Sequence, residues 1–396
     1  MHPLRKLSIV ISEACNLNCK YCYARLSNKW SHSDQMTNKI AKLVFNQLIL
    51  SAGQCDFIQF FGGEPSLNLD VIETISELVQ KSYLCGDIPQ KPRIGIVTNG
   101  VFGDYGRTFD IFKKYNIEVT VSIDGPPEIH NHLRPSKTNN TTYDLAYTTI
   151  NEALNSNLVT ILEMVYTSYH INQEFTIKNA LEFCCSLGVS KIAFQTATPP
   201  APIDLIPVSE SHIDRLINYF DEAIDWWFYN LIEKDILTID IYFKDILLAI
   251  LKGINAISPN GCPAGETDLA VGPDGSIYPC QLLYGNRNVF MGNIHKFDIL
   301  KYNKIDIPHL YSDFESCRTC HVRFWCQPCP ALNTFWGDIL TPSSSECIVR
   351  QFVICKIAKL AFDKLNVPET PETKLLKGFV DDYFPFTNNN ERVVNI

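Results

Sequence analysis

Between residues 7 and 196, six short apolar runs alternate with stretches of helical period, and this alternation limits the fold more than any other feature of the chain. The runs are LSIVIS (7–12), FIQFF (57–61), IGIVT (94–98), EVTVSI (118–123), LVTILEMVY (158–166) and KIAFQT (191–196). Helices are expected between them near 37–51, 69–84, 105–115, 141–156 and 173–187, with Thr37 and Asn68 as N-caps. Strands that alternate with helices pair in parallel through right-handed crossovers. Six such units suit an α/β fold built as an open, partial (β/α)6 barrel of TIM-like type better than a closed eight-stranded one.

The pattern breaks at TPPAPIDLIPVSE (198–210), where Pro199, Pro200, Pro202 and Pro207 interrupt it. An aromatic-rich helix through DWWFYN and a second through YFKDILLAILKG follow, and from residue 258 the chain becomes loop-rich and cysteine-rich. The expected organisation is a barrel over 1–200, linker helices over 201–257, a cysteine-rich module over 258–366 and a tail over 367–396, whose end NNNERVVNI reads as mobile. Trp226 and Trp227 read as core rather than as a docking face.

A net charge of -9 speaks against a general nucleic-acid surface, which needs clustered Lys and Arg. The basic opening MHPLRKLSIVISEAC has too short an apolar run and no small-residue cleavage site for a signal peptide, and no window approaches a membrane span. Fifteen cysteines without a secretory signal read as metal ligands in a reducing compartment, so a cytoplasmic location is expected.

Function in a parallel α/β barrel sits beyond the C-terminal ends of the strands. Cys15, Cys19 and Cys22 follow the first strand in CNLNCKYCYA, one donor short of a four-ligand zinc or iron–sulfur site. FFGGEP (60–65), VTNG (97–100), SIDGP (122–126) and IHNHLRP (129–135) stand at or after the next strand ends. Taken singly these are ordinary turns or a surface charge; their joint placement at successive strand ends discriminates.

The CxxxCxxC spacing with Tyr21 before the last cysteine resembles the signature of the radical S-adenosylmethionine (SAM) enzymes. The resemblance implies a [4Fe-4S] cluster held by three thiolates, its fourth iron left for SAM, which on reduction yields a 5′-deoxyadenosyl radical. It further implies that Gly62, Gly63 and Glu64 meet the SAM amino group, that Asn99, Ser122 and Asp124 supply polar contacts, and that Arg134 faces the SAM carboxylate.

The C-terminal cysteines read C-x12-G-x4-C (Cys262 to Cys280), CRTCHVRFWCQPC (317–329) and Cys347, which resembles the SPASM domain that carries twin auxiliary clusters. One departure is that Cys329 follows Cys326 by three positions where the family more often has four. By that likeness Cys317, Cys320, Cys326 and Cys347 close one auxiliary [4Fe-4S] cluster, and Cys262, Cys280 and Cys329 hold the other. The second has three ligands, so it either keeps an open iron or recruits Cys355. Zinc is the alternative for these CxxC pairs. Cys55, Cys85, Cys184 and Cys185 are expected to pack.

These resemblances imply an enzyme that crosslinks side chains of a ribosomally made precursor peptide by C–C or thioether bonds, with a flavodoxin or ferredoxin as electron donor and neither nucleic acid nor membrane as partner. The first strand begins by residue 7, which leaves no room for an N-terminal leader-binding domain, so the leader is expected to dock on the barrel, the linker helices or a separate protein. The second reading is oxidation of Cys or Ser to formylglycine, as in anaerobic sulfatase maturation. There a carboxylate base follows the cysteine of the Gx4C segment, whereas this chain has Gln281, and an amide cannot take the proton. Glu266, Asp268 and Asp274 are the substitute candidates. A non-catalytic iron–sulfur carrier accounts for the cysteines but not for GGE, SIDG and Arg134.

Overall fold

The computed structural model describes residues 3–27, 30–31, 33–137, 141–209, 211–233, 239–253, 262–302, 307 and 311–383. Strands β1 (Leu4–Ser12), β2 (Cys55–Gly62), β3 (Arg93–Thr98), β4 (Glu118–Ser122), β5 (Thr160–Tyr166) and β6 (Lys191–Thr196) pair in parallel and in chain order. All six form where the apolar runs place them. The sheet then extends at both edges. β7 (Ile239–Asp240) joins β6, and β8 (Asp268–Val271), followed by antiparallel β9 (Ser276–Tyr278) and β10 (Gly292–Asn293), joins β1 to make ten strands. The segment read as loops thus supplies three short strands. An ion pair of Arg5 with Asp268 fixes that junction, where Lys6 lies opposite Asp268.

The period-2 alternation separates two environments. On β1, Leu7, Ile9 and Ile11 are buried under the helices, as are Leu162, Met164 and Tyr166 on β5. The intervening Glu163 and Val165 face the barrel interior, where they line a cavity.

Helices α1 (Tyr23–Leu26), α2 (Asn38–Val44), α3 (Leu69–Cys85), α4 (Tyr105–Tyr115), α5 (Pro127–Leu133), α6 (Thr142–Asn155), α7 (Ser168–Asn172) and α8 (Ile177–Ser186) connect the barrel strands. The Thr37 hydroxyl caps α2 by accepting from Ile40 N, as expected, and the helix widens into π-type turns over Phe45–Leu50. Asn68 is not a cap. Its amide donates to the Ile11 and Met36 carbonyls at 3.0 and 2.9 Å and so ties the end of β1 to the start of α3. Cys85 ends α3 exposed rather than packed, because Gly86 turns the chain left-handed immediately after it. Cys55 and Cys184 are buried as expected, and Cys185 is partly so.

Beyond the barrel, α9 (Ile213–Glu233) packs on α8, α10 (Ile241–Lys252) packs on β6, and both pack with α12 (Ser344–Lys364), which also carries α13 (Pro371–Tyr383); α11 (Pro330–Trp336) packs on the turn Gln281–Leu283. Trp227 is fully buried, its ring 5.6 Å from Phe243, and Trp226 is partly buried against the same core. Lys356 of α12 bridges Asp221 and Asp225 of α9 at 3.0 and 2.7 Å. The tail begins later than its sequence suggests, since α13 buries Leu376 and Val380; NNNERVVNI lies outside the described residues. Among the described residues no helix is long and apolar enough to cross a membrane.

Candidate active site

The loop after β1 is held by the backbone of the Gly-Gly pair that ends β2. Gly63 N donates to Ser12 O and Glu64 N to Ala14 O, each at 2.8 Å. A Cβ on Gly62, whose φ is +145°, would lie 2.1 Å from Ser12 O, and one on Gly63 would lie 2.5 Å from Ala14 O. Only glycine permits this approach. The loop so fixed brings Cys15, Cys19 and Cys22 to the rim of a cavity of about 340 Å³. The three sulfurs interact with one another, and burial pushes the Cys15 thiol up to about 11 and the Cys19 thiol to about 12. Asn99 reaches over the loop, donating to Asn16 Oδ1 at 2.8 Å with Cys15 Sγ 3.7 Å away.

Tyr21, Gly62, Gly63, Asn99, Ser122 and Arg134 all border the cavity. Glu64 and Asp124 do not. Glu64 is fully buried and its carboxylate is already engaged, accepting from Ser66 N at 3.0 Å, Thr98 Oγ1 at 2.8 Å and Asn99 N at 2.8 Å. It therefore straps the end of β2 to the end of β3 instead of reaching the cavity.

Asp124 stands behind Arg134, fully buried, and takes two bonds from its guanidinium at 2.8 and 3.0 Å. It also accepts from the Tyr21 hydroxyl at 2.5 Å and from Val165 N at 3.2 Å. Burial alone would raise the Asp124 carboxyl, but the Arg134 charge and these bonds hold it below the usual carboxylate range. The Asp124 carbonyl lies 2.7 Å from His170 Nε2, so that nitrogen carries the proton; His170 Nδ1 then accepts from Thr167 N at 3.0 Å.

The far wall comes from β5, β6 and the cysteine-rich segment: Glu163, Phe194, Gln195, Leu282, Phe335 and Glu346 among others. Sequence reading missed Glu163, whose one signal is a carboxylate at an inward position of an otherwise apolar strand. Gln281 accepts from Ser8 Oγ at 3.1 Å. None of the substitute bases borders the cavity: Asp268 pairs with Arg5, Asp274 accepts from Ser276 N at 2.9 Å, and Glu266 lies apart from the lining. Tyr284 joins the segment to the first loop by donating to Glu13 Oε1 at 2.6 Å.

Seven of the C-terminal cysteines gather into two sets. Cys280 interacts with Cys329 and Cys262, while Cys347 interacts with Cys326, Cys317 and Cys320. Burial pushes Cys262 up to about 11 and Cys280 to about 12. Cys355 is buried on α12, and the sulfur it interacts with is Cys320, not one of the Cys262 set. Among the described residues no three His, Cys, Asp or Glu side chains close on a single-ion site. Three soft donors at the cavity rim, beside Asn99, Ser122 and Arg134, fit a cluster with one iron left for a ligand that carries a carboxylate.

The radical SAM superfamily profile matches residues 9–176. The radical SAM cyclopropyl synthase TigE of Paramaledivibacter caminithermalis is 24% identical over 385 residues, covering 89% of this chain and 74% of the relative. The cysteine-type anaerobic sulfatase-maturating enzyme of Clostridium novyi is 28% identical over 300 residues, covering 70% of this chain and 74% of that enzyme. Among solved structures, anSMEcpe with bound AdoMet superposes with a TM-score of 0.75 at 21% identity, over 95% of this chain and 99% of that one. Streptococcus suis SuiB bound to S-adenosylmethionine gives 0.60 at 16% identity, over 87% and 77%. The chain is a radical SAM enzyme, related to the anaerobic sulfatase-maturating enzymes and to peptide maturases of the TigE and SuiB kind.

Proposed function

We propose that this enzyme modifies a ribosomally made peptide, taking hydrogen from a side chain and closing a C–C or thioether crosslink. The observation that carries this reading is one cavity walled on one side by the cysteine loop and on the other by Leu282, Leu332, Phe335 and Glu346 of the cysteine-rich segment. Phe61, Val165, Phe194 and Phe220 give it apolar walls, which suit a side chain stripped of water and keep other hydrogen donors away from a radical. SuiB has been solved with the precursor peptide SuiA and anSMEcpe with the Cp18Cys peptide, both of which support a peptide substrate, and TigE is by name a cyclopropyl synthase, which supports bond formation.

In this reading Cys15, Cys19 and Cys22 hold the cluster, and SAM bound there supplies a 5′-deoxyadenosyl radical after one-electron reduction by a ferredoxin or flavodoxin. Gly62, Gly63, Asn99 and Ser122 border the SAM, Arg134 meets its carboxylate, and Tyr21 and Asp124 hold Arg134 in place. Cys317, Cys320, Cys326 and Cys347 close one auxiliary cluster. Cys262, Cys280 and Cys329 hold the other with an open iron, a choice that the position of Cys355 beside Cys320 supports.

The second reading, formylglycine formation, draws support from the likeness to anSMEcpe over nearly the whole chain. The Gln281 amide bonded to Ser8, where that chemistry places a base, argues against it. Anaerobic co-expression with each short peptide that the neighbouring reading frames are found to encode tests both. A product lighter by a pair of hydrogens per modification supports crosslinking. A product that reacts as an aldehyde, with sulfur and two hydrogens exchanged for one oxygen at a cysteine or a pair of hydrogens lost at a serine, supports formylglycine; a crosslinked product carries no aldehyde, and unchanged peptides contradict both.

A further inference from the structure

The structure leaves the expected bases unusable: Asp268 is paired, Asp274 and Glu266 lie off the cavity, and Gln281 is an amide. Two carboxylates do border the cavity among the described residues, Glu163 and Glu346. Glu346 pairs through Oε2 with Arg350 at 3.5 Å while its buried Oε1 takes no bond, and it directly precedes Cys347, a residue of the Cys317 set. Glu163 projects inward from the middle of β5, within reach of the Arg134 charge, and takes one bond, from Gln195 Nε2 at 3.2 Å to its Oε1.

We propose that Glu163 is the proton acceptor of this active site, taking from the substrate the proton released as it is oxidised in the cavity. The inference rests on the proposed function only in requiring that a substrate be oxidised there, since crosslinking and formylglycine formation share the same balance. The substrate loses a hydrogen atom to the SAM-derived radical, giving 5′-deoxyadenosine. It then loses one electron to an iron–sulfur acceptor and one proton to the Glu163 carboxylate.

The surroundings suit the task. Burial raises the Glu163 carboxyl and Asp124 adds to the rise, while Arg134 and Lys6 oppose it. Tyr23, at the start of α1, is the other titratable neighbour. A carboxylate raised above its ordinary range is a stronger base yet is still formed as pH rises, which is the condition general-base catalysis needs. Lys6, inward-facing on β1, is pushed below the usual lysine range by its own burial.

The test compares wild type, Glu163→Gln and Glu163→Asp as reconstituted holoenzymes, using those same short peptides as probes. The readout is product formed per 5′-deoxyadenosine, across pH. Wild type is expected to gain yield with rising pH. Glu163→Gln is expected to drop the ratio about 100-fold or more and to flatten that limb, and Glu163→Asp to restore part of the yield with a shifted limb. An unchanged ratio and limb in Glu163→Gln overturns the proposal.

If wild type converts none of these peptides, the proposed function fails and Glu163 is read on the protein alone. Infrared difference titration of the SAM-bound holoenzyme is then expected to show a protonated carboxyl band that persists above the usual glutamate range and is missing from Glu163→Gln. Its absence from wild type overturns the assignment.

Discussion

The Tyr21 phenol donates to the Asp124 carboxylate at 2.5 Å, and the same carboxylate holds the Arg134 guanidinium at 2.8 and 3.0 Å. Because Tyr21 lies between Cys19 and Cys22, one buried group fixes both the cluster loop and the arm proposed to meet the SAM carboxylate. Removing the hydroxyl in Tyr21→Phe leaves a buried carboxylate short of one bond, worth about 1.5–3 kcal/mol. SAM affinity of the reconstituted enzyme, measured by calorimetry, should weaken by roughly 10-fold or more, with iron content retained.

The Asp124–Arg134 pair also sets an acid limit. Its two side chains are 0% and 8% exposed, so solvent screens the pair little. Replacing the carboxylate in Asp124→Asn strands a buried cation at a cost of about 3–5 kcal/mol. The folded carboxyl is depressed, so its stabilisation is present above the unfolded value of about 3.9 and is lost as pH falls through the lower folded value. Denaturant titrations of wild type and Asp124→Asn should therefore converge on acidification, and a constant gap would contradict the pairing.

Gly63→Ala tests how the cysteine loop is held. The added methyl meets the Ala14 and Glu13 carbonyl oxygens at 2.5 and 2.6 Å, and backbone on both sides leaves little room to yield. A loss of about 1–3 kcal/mol in unfolding free energy is expected, together with reduced iron loading. Wild-type iron loading in this variant would mean that the loop does not depend on the contact.

Cys355→Ala distinguishes the two ways of completing the Cys262 set. With Cys355 buried beside Cys320, iron content should stay at the wild-type level, whereas Cys280→Ala should lower it. Loss of iron in Cys355→Ala would make this residue a ligand.

The barrel was legible because six short apolar runs alternate with stretches of helical period and because glycine-containing turns mark the strand ends. The direction of each polar side chain was not. Asn68 has the right type and place for a cap, yet its amide serves the Ile11 and Met36 carbonyls. Glu64 and Asp124 sit at strand ends but turn away from the cavity, since each is claimed by neighbours that only the folded chain brings near. Glu163 was hidden for the opposite reason: a lone carboxylate in an apolar strand carries no periodic signal, and its meaning depends on the barrel being hollow at that level. Strands of two to four residues, such as β8–β10, are too short for alternation to reveal.

The central claim is that three separate sulfur sets each hold a [4Fe-4S] cluster, and elemental analysis of the anaerobically reconstituted protein tests it most directly. About twelve irons with matching sulfide per chain are expected, falling by about four in Cys19→Ala. About four irons with stoichiometric zinc would contradict the account, because the two C-terminal sets would then be zinc sites.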